Sequence, residues 1–294
     1  MRAMNGLPSS ATEPRDPTDA GALASFVERH ERLFVLTGAG VSTSSGIPDY
    51  RDLEGNWKRR PPVQYGPFVR DDRVRRRYWA RSTLGWPGFA RSRPGDAHDA
   101  LARLQRAGRV HALVTQNVDR LHQRAGSDPV IDLHGRLDVV VCLGCSDRTS
   151  RDGLQRRLIE ANPRFADLRA PAAPDGDADL GDVDLDDFEV PSCARCGGTL
   201  KPDVVFFGES VPKPTVEASF RALDGSDAVL VVGSSLMVWS GYRFARAAAE
   251  SGKPIAALNR GVTRADDRLT LKLDADCGDV LRRVAEAIAP HGDA

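Results

Sequence analysis

Four short apolar runs, each followed at once by small or polar residues, constrain the fold of this chain more than any other feature. The runs are residues 33–36, 112–114, 229–232 and 255–258. Short apolar runs bounded by turn residues are typical of strands that are buried on both faces. Helical patterns lie between and after them, so the chain is predicted to be an α/β protein with a mainly parallel sheet.

Apolar residues recur at helical spacing most clearly in two stretches. One follows the cap candidate Asp96 and stops before Gly108, and the other lies near the C-terminus. Both are predicted to be helices that cover the sheet. The apolar positions are Ala97, Ala100, Leu101 and Leu104 in the first stretch, and Val280, Leu281, Val284 and Ile288 in the second.

Small and polar residues cluster where each predicted strand ends. Because ligands of open α/β sheets bind outside the carboxyl ends of the strands, we expect these four loops to form one ligand site. Ordinary turn chemistry explains one such loop easily and four less easily. The loops are Thr37-Gly38-Ala39-Gly40, Thr115-Gln116-Asn117-Val118-Asp119, Gly233-Ser234-Ser235 and Asn259-Arg260-Gly261.

Gly38-Ala39-Gly40 matches the dinucleotide-binding fingerprint only in part, because Thr43 stands where the third glycine would be. Glycine lets the backbone approach a pyrophosphate, although an ordinary tight turn explains the same residues. No obvious acidic residue follows about 20 positions later to bind a ribose hydroxyl, which disfavours an ordinary dehydrogenase.

Four of the five cysteines form two C-x-x-C pairs, Cys142 with Cys145 and Cys193 with Cys196. Two thiolate pairs complete a closed tetrahedral zinc site with no open position, so the metal is predicted to be structural and not catalytic. A redox pair or buried free thiols are the alternatives. The 47-residue spacer between the pairs is longer than usual and requires an inserted loop.

Two segments interrupt the alternation of strands and helices and are predicted to form one small module over the crevice. Residues 55–94 are rich in Arg, Pro and aromatics, and residues 142–199 hold the cysteines. Within the second segment, the acidic stretch 175–189 resembles a calcium loop. Its Gly181 lies one position too late for an EF-hand, which favours a solvated flexible loop.

The composition is that of a folded globular protein, with 41% hydrophobic and 28% charged residues. A net charge of zero argues against a broad nucleic-acid surface. The cysteines are too few for a disulfide scaffold, and no apolar run approaches the roughly 20 residues of a membrane span. We therefore expect a cytoplasmic protein with no membrane or nucleic-acid partner, preceded by a disordered tail over residues 1–20.

His134 lies between a short apolar run and the first cysteine pair. An imidazole has an unperturbed pKa of about 6.5, which suits proton abstraction at neutral pH. A lone histidine is nevertheless more often structural, and no G-x-S-x-G motif or assignable Ser-His-Asp set accompanies it. Its role stays open on these grounds.

Taken in order, the motifs resemble the sirtuin family, from about Phe26 to Leu281. The closer resemblance is to class II sirtuins, a branch with a human mitochondrial member, through Tyr78-Trp79-Ala80-Arg81, Gly85-Trp86-Pro87 and Ser240-Gly241-Tyr242-Arg243-Phe244. The general motifs are Gly38-Ala39-Gly40-Val41-Ser42, Ser45-Gly46-Ile47-Pro48-Asp49-Tyr50-Arg51, Thr115-Gln116-Asn117-Val118-Asp119, Leu133-His134-Gly135, the cysteine pairs, Lys201 through Glu209, and Gly233-Ser234-Ser235-Leu236.

This resemblance implies a Rossmann-like domain, about residues 21–54, 95–141 and 200–290, with an inserted zinc-ribbon and helical module. It also implies an NAD-dependent protein-lysine deacylase that consumes NAD as a co-substrate and binds one structural Zn²⁺. The acyl oxygen attacks the carbon that bears nicotinamide and forms an alkylimidate. His134 then deprotonates a ribose hydroxyl that attacks the imidate, releasing nicotinamide, O-acyl-ADP-ribose and free lysine.

The resemblance also assigns the NAD contacts. Gly38, Ala39 and Gly40 would approach the pyrophosphate, and the catalytic Asn117 would orient the ribose. Asp119, Ile47 and Asp49 would line the nicotinamide pocket, whereas Ser234, Asn259, Gly261 and Cys277 would hold the ADP end. The same segments supply the remaining predicted contacts, Ser42, Thr43, Pro48, Tyr50, Arg51, Gln116, Val118, Gly233, Ser235 and Arg260.

The acyl-lysine protein substrate would bind as an added strand between Phe206-Phe207-Gly208-Glu209 and residues 236–238, which end at Val238. Tyr78 and Arg81 lie at i and i+3 of a helical pattern and resemble the Tyr-x-x-Arg pair of desuccinylating sirtuins. That pair predicts acidic acyl groups, unless Arg81 is one more solvated charge of an Arg-rich helix.

The chain departs from the family pattern at Ser44, Tyr50 and Trp239-Ser240, and the last departure alters the peptide-binding rim. Two other functions remain open. A protein mono-ADP-ribosyltransferase would use the same NAD pocket, and a non-catalytic NAD- or nucleic-acid-binding module would need no base at His134. The sequence is compatible with a monomer.

Overall fold

The computed structural model describes residues 20–59, 61–165, 176 and 183–289. The predicted tail lies outside these residues except for Ala20, which begins the first helix. Residue 175 and residues 177–182 of the acidic stretch 175–189 lie outside them as well. None of the described helices is long and apolar enough to cross a bilayer.

Helices and strands alternate along the described chain as the apolar runs predict. The strands are β1 (Leu33–Thr37), β2 (Val110–Thr115), β3 (Val130–Asp132), β4 (Gly135–Cys142), β5 (Arg148–Ser150), β6 (Leu200–Val204), β7 (Ala228–Val232), β8 (Ile255–Leu258) and β9 (Leu271–Leu273). The α-helices are α1 (Ala20–Arg29), α2 (Tyr65–Arg70), α3 (Asp72–Arg91), α4 (Asp96–Arg106), α5 (Leu121–Arg124), α6 (Arg151–Ala161), α7 (Lys213–Asp224), α8 (Trp239–Glu250) and α9 (Cys277–Ile288).

Six strands form one sheet in the order β3-β2-β1-β7-β8-β9. Every pairing in it is parallel, and the four predicted strands are its central members. The chain moves outward from β1 to β3 and later returns to place β7 on the other side of β1. The exits of β1 and β7 therefore lie side by side at the point where the strand order reverses, which is where such sheets bind ligands.

Alternate residues of the central strands enter two separate hydrophobic cores. Leu33 and Val35 of β1 pack with the buried residues of α1, α4 and α9, whereas Phe34 and Leu36 pack with Phe244 of α8. Both faces of the sheet are therefore covered, as the continuous apolar runs require. The cap prediction was wrong by one residue, because Gly95, with its extended backbone, is the N-cap of α4 and Asp96 is the first helical residue.

A second sheet of three antiparallel strands, β5-β4-β6, forms the smaller module with α2, α3 and α6. Its boundaries differ from the predicted ones, because β4 and β6 were assigned to the Rossmann-like part. The two strands pair with each other and so bring the two cysteine pairs together.

The fully buried Arg151 joins α6 to α3. Its guanidinium carbon lies 5.4 and 5.1 Å from the rings of Trp79 and Trp86, and it bonds to Gln155 and Ser82. Burial lowers the pKa of Arg151 to about 10. The side chain therefore stays charged at neutral pH, and its two terminal nitrogens bond to neutral acceptors while aromatic rings pack against the guanidinium. Its buried Nε has no hydrogen-bond partner among the described residues.

Leu101→Ala is expected to lower the free energy of unfolding by about 2–5 kcal/mol, because Leu101 is fully buried between the sheet and α9. Leu53→Ala is the matched control, since Leu53 is 57% exposed. Urea denaturation of both variants checks this expectation. Equal losses would contradict the placement of the core.

Candidate active site and metal site

A cleft of about 510 Å³ opens between the six-stranded sheet and the smaller module. It brings together the four predicted strand exits. The predicted NAD residues that line it are Gly38, Ala39, Gly40, Ser42, Ile47, Asp49, Tyr50, Arg51, Gln116, Asn117, Val118, Asp119, Gly233, Ser234, Ser235, Asn259 and Arg260. The predicted catalytic and substrate residues that line it are His134, Tyr78, Phe206, Gly208, Glu209 and Val238.

Five predicted site residues are not among the lining residues: Thr43, Pro48, Arg81, Gly261 and Cys277. Thr43 donates its hydroxyl to the carbonyl of Gly40 and so supports the loop from behind. Cys277 begins α9, and its Sγ is 3.6 Å from the carbonyl of Leu258. Burial raises the pKa of that thiol to about 12, which makes it a packed, neutral side chain beneath the exit of β8.

The exits of β1 and β7 touch through their backbones. The amide of Gly40 donates to the carbonyl of Gly233 at 2.9 Å. A Cβ on Gly40 would lie 2.8 Å from the Cα of Gly233, and a Cβ on Gly38 would lie 2.8 Å from the Gly233 carbonyl oxygen. The glycines are therefore needed for this contact, whatever they contribute to a bound pyrophosphate.

Ser42, Asn117 and Asp119 form one hydrogen-bonded set in the cleft. The Ser42 hydroxyl accepts from Asn117 Nδ2 at 3.0 Å and donates to Asp119 Oδ2 at 2.7 Å. The other oxygen of Asp119 accepts the amide of Leu121. Two different strand exits are thus fixed relative to each other, and the Asp119 carboxylate has a defined orientation.

His134 precedes β4 and has a defined tautomer. Its Nδ1 lies 3.0 Å from the carbonyl oxygen of Gln116, which can only accept, so Nδ1 carries the proton. Nε2 is then a lone-pair acceptor and receives the Ser240 hydroxyl at 2.7 Å. The ring therefore presents a basic nitrogen in the cleft.

Gly135 explains why glycine follows this histidine. Its φ is +79°, and a Cβ there would lie 2.1 Å from the carbonyl oxygen of Asp203 in β6. The amide of Val205 in turn donates to the His134 carbonyl at 2.8 Å. The backbone of His134 is thus held by the segment that leaves β6.

The four cysteines of the two pairs converge as predicted. Sγ of Cys142 is 3.5 Å from that of Cys196, Sγ of Cys145 is 3.9 Å from that of Cys193, and all four lie within 4.8 Å of one another. A tetrahedral zinc ion with Zn–S bonds of about 2.3 Å requires sulfurs about 3.8 Å apart. The donor set therefore fits one structural zinc ion.

The sequence profile of the Sir2 family matches residues 38–240. This span includes the exits of β1, β2 and β7 and the four paired cysteines. The chain belongs to the Sir2 family. An NAD-dependent protein deacetylase of Xanthomonas campestris pv. campestris (strain 8004) is 61% identical over 260 residues, covering 88% of this chain and 89% of that protein. Another from Bordetella bronchiseptica is 59% identical over 267 residues, covering 91% and 97%.

Two further comparisons bear on this sirtuin. The mitochondrial NAD-dependent protein lipoamidase sirtuin-4 of Bos taurus is 48% identical over 279 residues, covering 94% of this chain and 89% of that protein. A solved structure described as "Sir2-p53 peptide-NAD+" superposes with a TM-score of 0.73 at 28% identity, covering 90% of this chain and 97% of that one. The predicted resemblance to sirtuins is confirmed.

The pKa of His134 is lowered from 6.5 to about 4, chiefly by burial; the Gln116 hydrogen bond opposes this shift and the nearby Arg243 cation adds to it. The imidazole is therefore neutral at physiological pH. A base in this state can accept a proton without first losing one.

An ion pair between the buried Lys201 and the half-buried Glu209 shapes the segment that leaves β6. Lys201 Nζ lies 3.0 Å from Glu209 Oε2 and 4.8 Å from the ring of Phe206. The same carboxylate oxygen accepts the amide of Phe206 at 2.9 Å. The Glu209 side chain therefore stabilises the turn over residues 206–209. This structural role was not part of the prediction that Glu209 flanks the bound peptide.

Several residues of the cleft were not predicted from the sequence to belong to the site. Ser240 and Arg243 lie in the first turns of α8 and flank His134. The sequence pointed to them only through the class II resemblance of residues 240–244 and the unusual Trp239-Ser240 pair. Trp57 lies 4.0 Å from the Arg51 guanidinium carbon and 5.5 Å from the Phe207 ring. It thereby connects residues 47–51, which are predicted to contact NAD, to the predicted peptide segment.

The acid limb of the kcat/KM profile is expected well below pH 6.5. His134 must be neutral to act, and with a folded pKa of about 4 the neutral form is lost only as the pH falls toward that value. Arg243→Met should move this limb upward, because it removes a cation that disfavours protonation. A limb at pH 6.5 in the unaltered enzyme would contradict a desolvated base.

Cys142→Ser is expected to abolish stoichiometric zinc binding and to unfold the smaller module, since a structural zinc site contributes roughly 10–16 kcal/mol in small peptides. Elemental analysis and circular dichroism measure the two effects. Cys277→Ser is the control, because Cys277 lies outside the cluster. Soluble, active protein without zinc would overturn the assignment.

Proposed function

We propose that this sirtuin is an NAD-dependent protein-lysine deacylase that acts in the cytoplasm. One observation carries the proposal: a neutral His134 presents its basic Nε2 in a cleft whose strand-exit residues match those expected to bind NAD. The deacetylase relatives and the peptide- and NAD-bound sirtuin structure support the same activity. Four cysteines arranged for zinc suit a reducing compartment.

In the proposed reaction, NAD, acyl-lysine and water give nicotinamide, O-acyl-ADP-ribose and free lysine. The acyl oxygen forms a bond to the ribose carbon as the bond to nicotinamide breaks. A ribose hydroxyl then attacks the imidate carbon while its proton passes to His134 Nε2. The lysine amine leaves with that proton, and water adds to the same carbon. The bond between this carbon and the original acyl oxygen then breaks, which leaves the acyl group on the attacking hydroxyl oxygen and a hydroxyl on the ribose carbon that carried nicotinamide.

The Ser240 hydroxyl must move away from His134 Nε2 for this step to occur. Its hydroxyl occupies the lone pair of His134 Nε2 at 2.7 Å, the position that the ribose hydroxyl needs. We infer that Ser240 keeps the imidazole oriented before substrate binds and then rotates away. The Nδ1–H bond to Gln116 persists and stabilises the imidazolium that forms.

The Ser42-Asn117-Asp119 set is proposed to position NAD. Asn117 and Asp119 face the cleft with amide and carboxylate groups already oriented through Ser42. Preorganised polar groups lose little entropy when a ligand binds. We infer that Asn117 orients the ribose and that Asp119 contacts the nicotinamide amide.

The acyl group is proposed to extend toward the smaller module, where Tyr78 lines the cleft and is 3% exposed. The ring of Tyr78 lies 5.2 Å from that of Phe206, so it shares a wall with the proposed peptide segment. Recognition of an acyl carboxylate by Tyr78 with Arg81 stays a proposal, since Arg81 is not among the lining residues.

A protein ADP-ribosyltransferase is the alternative that shares this pocket. It would need no base poised to complete attack on an imidate, whereas the His134 geometry provides one. Mass analysis of the products separates the two activities. O-acyl-ADP-ribose with free lysine supports deacylation, and protein carrying ADP-ribose supports transfer.

His134→Ala is expected to lower turnover of an acetyl-lysine peptide by about 10²- to 10⁴-fold, the usual contribution of a general base. NAD affinity, measured by calorimetry, should change little because the imidazole acts on a proton. His111→Ala serves as the control, since His111 is exposed on β2 and lies outside the cleft. Near-normal turnover in His134→Ala would remove His134 from the mechanism.

A further inference from the structure

An exposed tryptophan between two arginines lies at the mouth of the cleft. Trp239 begins α8 and lines the cleft, yet it is 48% exposed. The guanidinium carbons of Arg246 and Arg264 lie 5.5 and 5.8 Å from its ring. We call these three side chains the Trp239 patch. A rigid aromatic ring with cations on it is the kind of surface that proteins use for recognition.

Arg264 is held in place without being neutralised. Its guanidinium lies 4.4 Å from the ring of Tyr242, its Nη1 is 3.4 Å from the Met237 carbonyl, and its amide donates to Ser235. In the part of the chain that the structure describes, no carboxylate lies within ion-pairing distance of this guanidinium. A positioned cation of this kind retains its full capacity for a carboxylate.

The acidic residues nearest in sequence are already bound elsewhere. Asp266 pairs with Lys272 at 2.6 Å, and Asp267 lies 3.8 Å from Arg268. On α8, Glu250 is bonded to Arg246 at 2.7 Å. Arg264 is therefore the part of the patch with uncompensated positive charge.

The patch continues the surface along which a substrate would pass. Trp239 directly follows Val238, which belongs to the proposed peptide-binding edge, and directly precedes Ser240, which contacts His134. An acyl-lysine placed at His134 would therefore bring its neighbours in the substrate chain over the Trp239 patch. Successive residues of an extended chain are about 3.3 Å apart, so only a few residues separate the two points.

We propose that the Trp239 patch recognises an acidic side chain close to the acyl-lysine in the substrate protein. Arg264 is the specificity-determining residue, and the Trp239 ring supports its guanidinium while packing against the aliphatic part of the acidic side chain. This inference rests on the proposed deacylase function. It concerns the sequence around the lysine and is independent of the acyl group.

The test uses three acetyl-lysine peptides that differ only at the flanking positions, which carry Glu, Gln or Lys. The unaltered enzyme is expected to deacetylate the Glu peptide with a kcat/KM about three- to fivefold above that of the Gln peptide, the upper part of the range for an exposed ion pair. The Lys peptide should be the poorest substrate. Salt at 0.5 M should reduce the Glu preference by screening.

Arg264→Gln should bring the ratio of the kcat/KM values for the Glu and Gln peptides close to one, through a higher KM for the Glu peptide. Trp239→Ala should reduce this ratio, whereas Trp239→Phe should retain most of it. Arg221→Gln is the matched control, since Arg221 is exposed on α7 and lines no part of the cleft; its ratio should equal that of the unaltered enzyme.

A ratio of one in the unaltered enzyme, or a ratio that survives Arg264→Gln, overturns this inference and leaves the deacylase function intact. Absence of turnover with all three peptides contradicts the deacylase function itself. A ratio that falls equally in Arg221→Gln assigns the preference to overall charge and also overturns the role of the patch.

Discussion

The backbone contact between the exits of β1 and β7 is the constraint on which the rest of the site depends. Gly40 and Gly233 lie too close for either to carry a Cβ. Their contact occurs where the strand order reverses, so the loops after β2 and β8 are placed on either side of it. The four loops form one cleft because the exits of β1 and β7 touch. The positions of the polar side chains around the cleft depend on that contact.

The central strands were predictable because burial on both faces leaves continuous apolar runs. The edge strands β3 and β9, of three residues each, leave no such run. β4 was also missed as part of the smaller module, because its partly buried pattern resembles neither a buried run nor strict alternation. Its position depends on pairing with β6, more than 50 residues away, which no local pattern encodes.

The site was predictable to the extent that its residues follow strands. Asn117 and Asp119 carry a recognisable motif at a strand exit, whereas Ser240 and Arg243 lie in the first turns of a helix and reach His134 only through tertiary structure. Cys277 was predicted from the resemblance alone, and its Sγ lies beneath the exit of β8 and not among the lining residues, so its contact with the ADP end stays a prediction. Resemblance locates a segment well, but the direction of a side chain is set by packing.

β4 connects two parts of the molecule that act differently. His134 directly precedes this strand and Cys142 ends it, so the base and a zinc ligand are held by the same ladder with β6. The segment leaving β6 then supplies the amide that holds the His134 backbone. A metal site at the far end of β4 therefore contributes to the position of His134, the proposed base, through one continuous strand pair.

The burial of Lys201 affects whether this protein can itself be acylated. Only five lysines occur in 294 residues, and Lys201 is 3% exposed with its amine bonded to the Val204 carbonyl and to Glu209. Burial also lowers the pKa of this amine. An electrophilic acyl donor cannot reach an amine buried in this way, so the lysine beneath the proposed peptide-binding segment is protected from the modification that a deacylase removes from other proteins.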